Sequence, residues 1–409
     1  MPAETQAWPA LDRRALTLLC TGLAAMGPLL VLAPRTIWVI LLVLYGLAAA
    51  WRFWRRGRLD LPRGIAALAV LPLLGYAALS IAWTPVTDNA LRQIVELLGF
   101  FLSAFGLAGL LPHYGAPVLR RLDLAVAAAV ILGLATLAIE VVFDQPLYRL
   151  VHGMDVTATP SDAVLNRPAV LFAAFAWPAA LHLRRRGLGW AAIVLLGATT
   201  AVLVVSSSQS ASLGMVAGLM MFALASLSLT WARRTVAAAL AIACFGAVPI
   251  ADGLYSAGAA QWDGLGITAR HRVEIWHFTA ERVGDRPIFG HGLAASRSMD
   301  NRGETSEFQA PDQSIIPLHP HNAFLQVWLE LGLVGAVAAM AFGLAVLRLT
   351  ATLEQTAQRM ALAQFAASLA MLSVAYGAWQ SWWVAGLLSA GLATALAARV
   401  PDRSPPESA

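Results

Sequence analysis

Lysine is absent from the 409 residues, charged side chains make up only 12% of them, and cysteine occurs twice. Each scarcity excludes something. With 59% hydrophobic residues and a mean hydropathy of +0.68, the chain has more apolar surface than a soluble two-domain protein can bury, so it needs lipid as its solvent. The net charge of +5 would suit nucleic acid, but every basic residue is arginine and most lie in short loops between apolar runs. That is a signal of membrane topology, and no nucleic-acid partner is expected. Cys20 and Cys244 both fall inside apolar runs, so neither a disulfide framework nor a thiolate metal site follows. Alternating, polar-interrupted strands are missing too. Backbone groups in lipid must be satisfied within their own segment, and the expected spans are therefore helices. Arg13 and Arg14 precede an apolar run in the manner of a signal peptide, yet no small-x-small cleavage site occurs before Arg35. That run is expected to remain as the first helix.

A bilayer core of about 30 Å takes roughly 20 apolar residues per helix. Runs of that kind recur near residues 15–33, 36–51, 64–83, 93–111, 122–142, 166–183, 188–205, 210–231, 235–251, 322–347, 360–377 and 381–398. The fold expected is all-α: about 12 transmembrane helices in a single domain over residues 1–409. Arginines fall in every second connection: Arg13 and Arg14; Arg52, Arg55, Arg56, Arg58 and Arg63; Arg120 and Arg121; Arg184, Arg185 and Arg186; Arg233 and Arg234; Arg348 and Arg359; Arg399 and Arg403. The positive-inside rule assigns that face to the cytoplasm, together with both termini. The tail 401–409 is polar and proline-rich and is expected to be disordered.

The connection 252–321, between the ninth and tenth spans, is too long to serve only as a connector and falls on the non-cytoplasmic side. Five of the eight histidines lie in it, His271, His277, His291, His319 and His321, among arginines and offsetting carboxylates. Within it Trp276, Ala280 and Val283 share a helical face, the spacing of an amphipathic segment against a membrane surface. Gly290-His291-Gly292-Leu293-Ala294-Ala295 fits the dinucleotide fingerprint formally, but no strand precedes it, and a turn is expected. No spacing matches a metal motif, and neither metal nor cofactor is expected. In the tenth span Glu330 calls for a buried polar partner.

Three elements stand in order in and beyond this loop. They are Arg272-Val273-Glu274-Ile275-Trp276, then Arg286-Pro287-Ile288-Phe289-Gly290-His291-Gly292, then His321-Asn322 followed after nine residues by Gly332-Leu333-Val334-Gly335. Together they resemble the signature of the O-antigen ligase and polymerase family. The first half carries weaker matches in Ser80-Ile81-Ala82-Trp83-Thr84 and Asn166-Arg167-Pro168. The resemblance implies an inner-membrane protein of GT-C-like architecture with a large periplasmic loop. It would transfer glycan from an undecaprenyl-diphosphate carrier to an acceptor hydroxyl without metal or nucleotide.

By that resemblance His321 is the catalytic base, taking the acceptor's hydroxyl proton, with capping of the next helix as the competing role. Arg272 is expected to hold the diphosphate as charge grows on it. Arg270, Arg167, Asn322, His319 and Gln209 are the expected substrate contacts. For Arg270 the competing reading is ordinary lipid headgroups, and for Arg167 a snorkelling helix end. His319 is an alternative base. Gln209 stands where the family often has arginine, and Arg167 is the expected substitute. Gly332 and Gly335, about 16 Å along a straight helix from His321, are expected to serve close helix packing. The leading acceptor is a lipid A-core sugar, with polymerisation onto a second lipid-linked glycan as the alternative. A lipid or glycan transporter would place charges or helix breaks on a mid-membrane path, and the spans carry little charge beyond Glu140 and Glu330.

Overall fold

Each of the twelve apolar runs forms a helix, the tenth of them interrupted by a kink. The protein is seen in a computed structural model that describes residues 13–56, 64–155, 161–310 and 313–401. Its helices are α1 (Arg13–Leu32), α2 (Ile37–Arg56), α3 (Ile65–Leu79), α4 (Thr87–Leu110), α5 (Ala116–Val142), α6 (Pro146–Val151), α7 (Asn166–Arg185), α8 (Gly189–Val205), α9 (Gln209–Leu227), α10 (Leu229–Ser256), α11 (Ile267–Asp285), α12 (Ala323–Thr350), α13 (Gln355–Val374) and α14 (Ser381–Ala397). No strand occurs among the described residues. Among the described residues nine segments are long and apolar enough to cross a membrane, and α8 and α14 are shorter apolar helices. The chain is an all-helical, multi-pass membrane protein. Apart from Pro401, the tail expected to be disordered lies outside the described residues.

The centre of the bundle is α7. Every side chain from Pro168 to His182 is buried, and its alanines let neighbouring backbones approach closely. Around it pack α5, α8, α9, α13 and α14. The more polar α13 is accommodated because its groups find partners inside the bundle. Gln364 donates to the Ala174 carbonyl at 3.2 Å and accepts from the Thr394 hydroxyl at 2.6 Å. Glu140, fully buried at the end of α5, accepts from the Leu147 and Tyr148 amides at 2.8 and 3.0 Å and so caps α6.

Contacts between connections occur at both ends of the bundle. At one end Arg185 bonds to Glu354 at 2.7 Å and to the Val400 carbonyl, and Arg233 reaches Gln358 at 3.2 Å. At the other end the Thr84 hydroxyl donates to the Leu293 carbonyl at 2.7 Å, and Gln93 donates to the Trp379 carbonyl at 3.3 Å.

The amphipathic segment of the loop is real but sits differently from the sequence expectation. The helix α11 packs on protein from two sides. Trp276 and Ala280 join Leu240, Cys244 and Phe324 of α10 and α12, while Ile275, Phe278 and Val283 pack with Ile315, Ile316 and Leu329.

A second departure concerns Gly332. It breaks α12, with φ +60° and ψ −157°, and its partner is the loop rather than another helix. In an unbroken helix the amides of Leu333 and Val334 would bond the carbonyls of Leu329 and Glu330. Instead they donate to the carbonyls of Pro287 (2.8 Å) and Ile288 (3.3 Å), and the Leu329 and Glu330 carbonyls accept from His291 (2.9 Å) and Gly292 (2.8 Å). The loop segment 287–292 is thus built into the span, so every freed backbone group has a partner, as lipid demands. The glycine-rich turn is what makes this approach possible, since a Cβ on Gly290 would stand 2.4 Å from the Glu330 carbonyl. This close packing, and no phosphate cradle, accounts for the apparent fingerprint.

Candidate functional site

The start of α12 separates two roles that the sequence left competing. Asn322 is the N-cap: its side-chain oxygen accepts from the Phe324 and Leu325 amides at 2.9 and 3.1 Å. Capping therefore belongs to Asn322, whose oxygen is engaged with the helix, and His321 is left available. His321 has a left-handed backbone, φ +55°, and its Nδ1 lies 3.0 Å from the Ala375 carbonyl. A carbonyl only accepts, so Nδ1 carries the proton and neutral His321 presents its lone pair at Nε2. Burial and the charge of Arg272 hold the His321 pKa below its ordinary value, against the opposing Ala375 bond.

His319 is held from both sides. Its Nδ1 accepts from the His321 amide at 3.1 Å, and its Nε2 lies 2.6 Å from the Gln380 amide group. Burial first, then the charges of neighbouring groups, push its pKa down to about 3. With Nδ1 accepting, Nε2 carries the proton and donates to the Gln380 amide oxygen once that amide is oriented to receive it. Both nitrogens are committed, so His319 braces the site and has no lone pair to act as base. The two imidazoles stand edge to face, 4.4 Å between centroids. Among the described residues no group of three or more His, Cys, Asp or Glu side chains is set to hold a metal.

The arginines of α11 diverge because residues two apart on a helix point about 200° from each other. Arg270 turns back into its own loop, bonding the Ala260 carbonyl at 2.7 Å and Asp263 at 3.2 Å and lying 5.5 Å from the Phe308 ring. The structure does not bring it to His321. Arg272 is half-buried, pairs with no carboxylate among the described residues, and its charge acts on His321, His319 and Tyr376. Arg167, in the first turn of α7, also acts on Tyr376, and the exposed Arg35 lies close enough to Arg167 to be felt there. Gln209 is exposed at the head of α9, its amide nitrogen 3.9 Å from where a Cβ on Gly266 would sit, and so it meets the start of α11.

Sequence reasoning missed Tyr376, the Ala375 carbonyl and Arg35. Tyr376 meets Trp382 edge to face and Trp383 at a tilt, 4.7 and 5.7 Å between centroids. Its burial raises the phenol's pKa to about 12 despite Arg167 and Arg272, so it remains a hydrogen-bond donor. The signal for it was present: an aromatic residue in a polar connection on the same face as the long loop. A backbone carbonyl leaves no such mark.

Beneath the histidines lies the polar partner expected for Glu330. Its carboxylate accepts from the Ala294 amide (2.7 Å), the Ser296 hydroxyl (2.7 Å) and amide (3.4 Å), Gln326 Nε2 (2.9 Å) and Trp379 Nε1 (2.9 Å).

Residues 191–340, which contain α11, the inserted segment and both histidines, match the family model described as O-antigen ligase. A protein of Rickettsia felis, provisionally named a polysaccharide ligase, is 26% identical over 90% of this chain and 93% of its own length. Similarly named proteins of Rickettsia conorii and Rickettsia prowazekii are 33% and 30% identical, over 29% of this chain and 29% of their own lengths. Those two matches span less than a third of either relative.

Proposed function

We propose, on the match of residues 191–340 to the family model described as O-antigen ligase, that the protein is an O-antigen ligase of the bacterial inner membrane. It transfers glycan from an undecaprenyl-diphosphate carrier to a sugar hydroxyl of the lipid A core, in lipopolysaccharide biosynthesis. The arginine-rich ends and both termini face the cytoplasm, and the site faces the periplasm.

The observation that carries this reading is His321, whose Nδ1 donates to the Ala375 carbonyl and whose Nε2 has no hydrogen-bond partner among the described residues, within reach of the charge of Arg272. In the reaction Nε2 takes the acceptor's hydroxyl proton while the acceptor oxygen attacks the anomeric carbon. The bond from that carbon to the diphosphate oxygen breaks, and the electron pair leaves with the carrier. Arg272, with Arg167 from α7, binds the diphosphate through guanidinium forks suited to phosphate oxygens and offsets the growing charge. A diphosphate leaves readily, so the chain needs no general acid. Neither Arg270 nor Gln209 is assigned a substrate contact, and His319 and Asn322 serve as supports.

The test is a strain deleted for the gene and complemented with wild type, His321→Ala or Arg272→Ala, with lipopolysaccharide examined on a gel. Wild type restores glycan-capped core and neither variant does. Full capping by either variant overturns its role. Single-unit capping in the deletion strain would instead mark a polymerase.

A further inference from the structure

We infer that Glu330, which lies below the histidines and touches no reacting atom, is the positioning residue that keeps His321 in the tautomer able to act as base; this rests on the transfer reaction proposed above. Glu330 is fully buried and pairs with no arginine among the described residues. All of its contacts are donors, so both oxygens accept. The donors come from three parts of the chain, and two of these lead to the histidines.

The first route runs through the connection between α13 and α14. Trp379 Nε1 donates to Glu330 Oε2 at 2.9 Å. Gln326 donates from Nε2 to Glu330 Oε1 at 2.9 Å, which turns its own oxygen toward the Ala378 amide at 2.8 Å. Glu330 therefore fixes Ala378 and Trp379, three and four residues beyond the carbonyl that receives the His321 proton. Little slack separates them, since a Cβ on Gly377 would stand 2.6 Å from Gln326 Oε1 and 2.8 Å from His319 Cγ. The second route runs through Ser296. Its single hydroxyl hydrogen is shared between Glu330 Oε1 (2.7 Å) and the carbonyl of Leu318 (3.1 Å), the residue before His319.

A carboxamide in place of the carboxylate turns an NH2 group against donors that it cannot accept. Gln326 loses the partner that orients it, and the 375–380 connection loses two anchors. The Ala375 carbonyl then no longer selects Nδ1–H, and the proton is shared with Nε2, where it blocks proton abstraction.

The experiment uses the full-length protein in lipid nanodiscs with 15N-labelled histidine. The nitrogen resonances of His321, assigned by their loss in His321→Gln, are compared at neutral pH in wild type, Glu330→Gln, Glu330→Asp and Trp379→Phe. Wild type is expected to show the Nδ1–H form alone, Glu330→Gln a mixture of tautomers, and Trp379→Phe a smaller admixture. Glu330→Asp restores the wild-type form in part. In glycan transfer the tautomer mixture appears as a fall in kcat of about tenfold, a fraction of what general-base help contributes, with KM nearly unchanged. An unshifted His321 tautomer in folded Glu330→Gln and Trp379→Phe overturns the proposal. Should Glu330→Gln fail to fold, Trp379→Phe decides alone. The nitrogen spectra need no turnover, so variants that shift the tautomer while wild type transfers no glycan would refute the proposed reaction and leave the positioning role standing.

Discussion

Gly332 meets Gly290 where neither can carry a side chain: a Cβ on Gly332 would stand 2.7 Å from the Gly290 nitrogen and 2.4 Å from the Ile288 carbonyl oxygen. The backbone of Gly332 also lies in the left-handed region, at φ +60°. Gly332→Ala therefore combines strain with a steric clash, each costing on the order of 1–3 kcal/mol. The expected outcome is a marked drop in the thermal transition of the detergent-solubilised protein. A variant as stable as wild type would show that the break in α12 does not depend on this glycine.

His321→Ala is expected to lower glycan transfer by about 10² to 10⁴, the usual contribution of a general base, with folding intact. His319→Gln retains an acceptor and a donor and is expected to lose far less. Equal losses from the two substitutions would mean that His319 shares the proton chemistry.

The pH profile provides a separate check. Neutral His321 is the active form and its pKa lies below the ordinary 6.5. Activity should therefore persist below pH 6.5 and fall only as the pH drops through the depressed value. Arg272 contributes to that depression, so Arg272→Gln, besides weakening donor binding, should move the acid limb upward. Arg272→Lys keeps the charge and should leave the limb in place. An acid limb unmoved by Arg272→Gln would remove Arg272 from the electrostatic surroundings of His321.

Asn322→Ala should cost about 1 kcal/mol, the typical value of an N-cap, read as a lowered thermal transition. Asn322→Asp keeps a capping oxygen and should preserve most of both stability and transfer. Loss of transfer in Asn322→Asp at unchanged stability would restore the substrate contact that the structure assigns to capping.

Arg270→Ala is expected to leave donor KM nearly unchanged, because its guanidinium is held by Ala260 and Asp263. Arg167→Ala should raise donor KM severalfold. The opposite order, measured with lipid-linked donor in vesicles, would reverse the assignment of the two arginines.

The sequence made the helices legible because lipid enforces their length and apolarity, and the arginines in alternate connections sorted the ends that the fold gathers. His321 and Arg272, singled out in the same loop, lie close enough in the fold for the charge of one to act on the other. What the sequence hid depends on contacts far apart in the chain. Nothing local distinguishes Arg270 from Arg272 until helical phase sends them to opposite sides of α11. Hydropathy reads 323–350 as one continuous span, because the break at Gly332 is filled by the distant loop segment 287–292. Tyr376 and the Ala375 carbonyl lie beyond any motif, since the bond to His321 spans 54 positions.

The exchange of backbone hydrogen bonds between α12 and the segment 287–292 bears on how the protein assembles. A helix entering lipid alone with the carbonyls of Leu329 and Glu330 open would bear several kcal/mol for each unsatisfied group. Residues 287–292 are synthesised first and are already at hand when α12 emerges, so the span can complete its bonding as it inserts. Excising the loop would on these grounds yield a protein that fails quality control during insertion, rather than a stable bundle without activity.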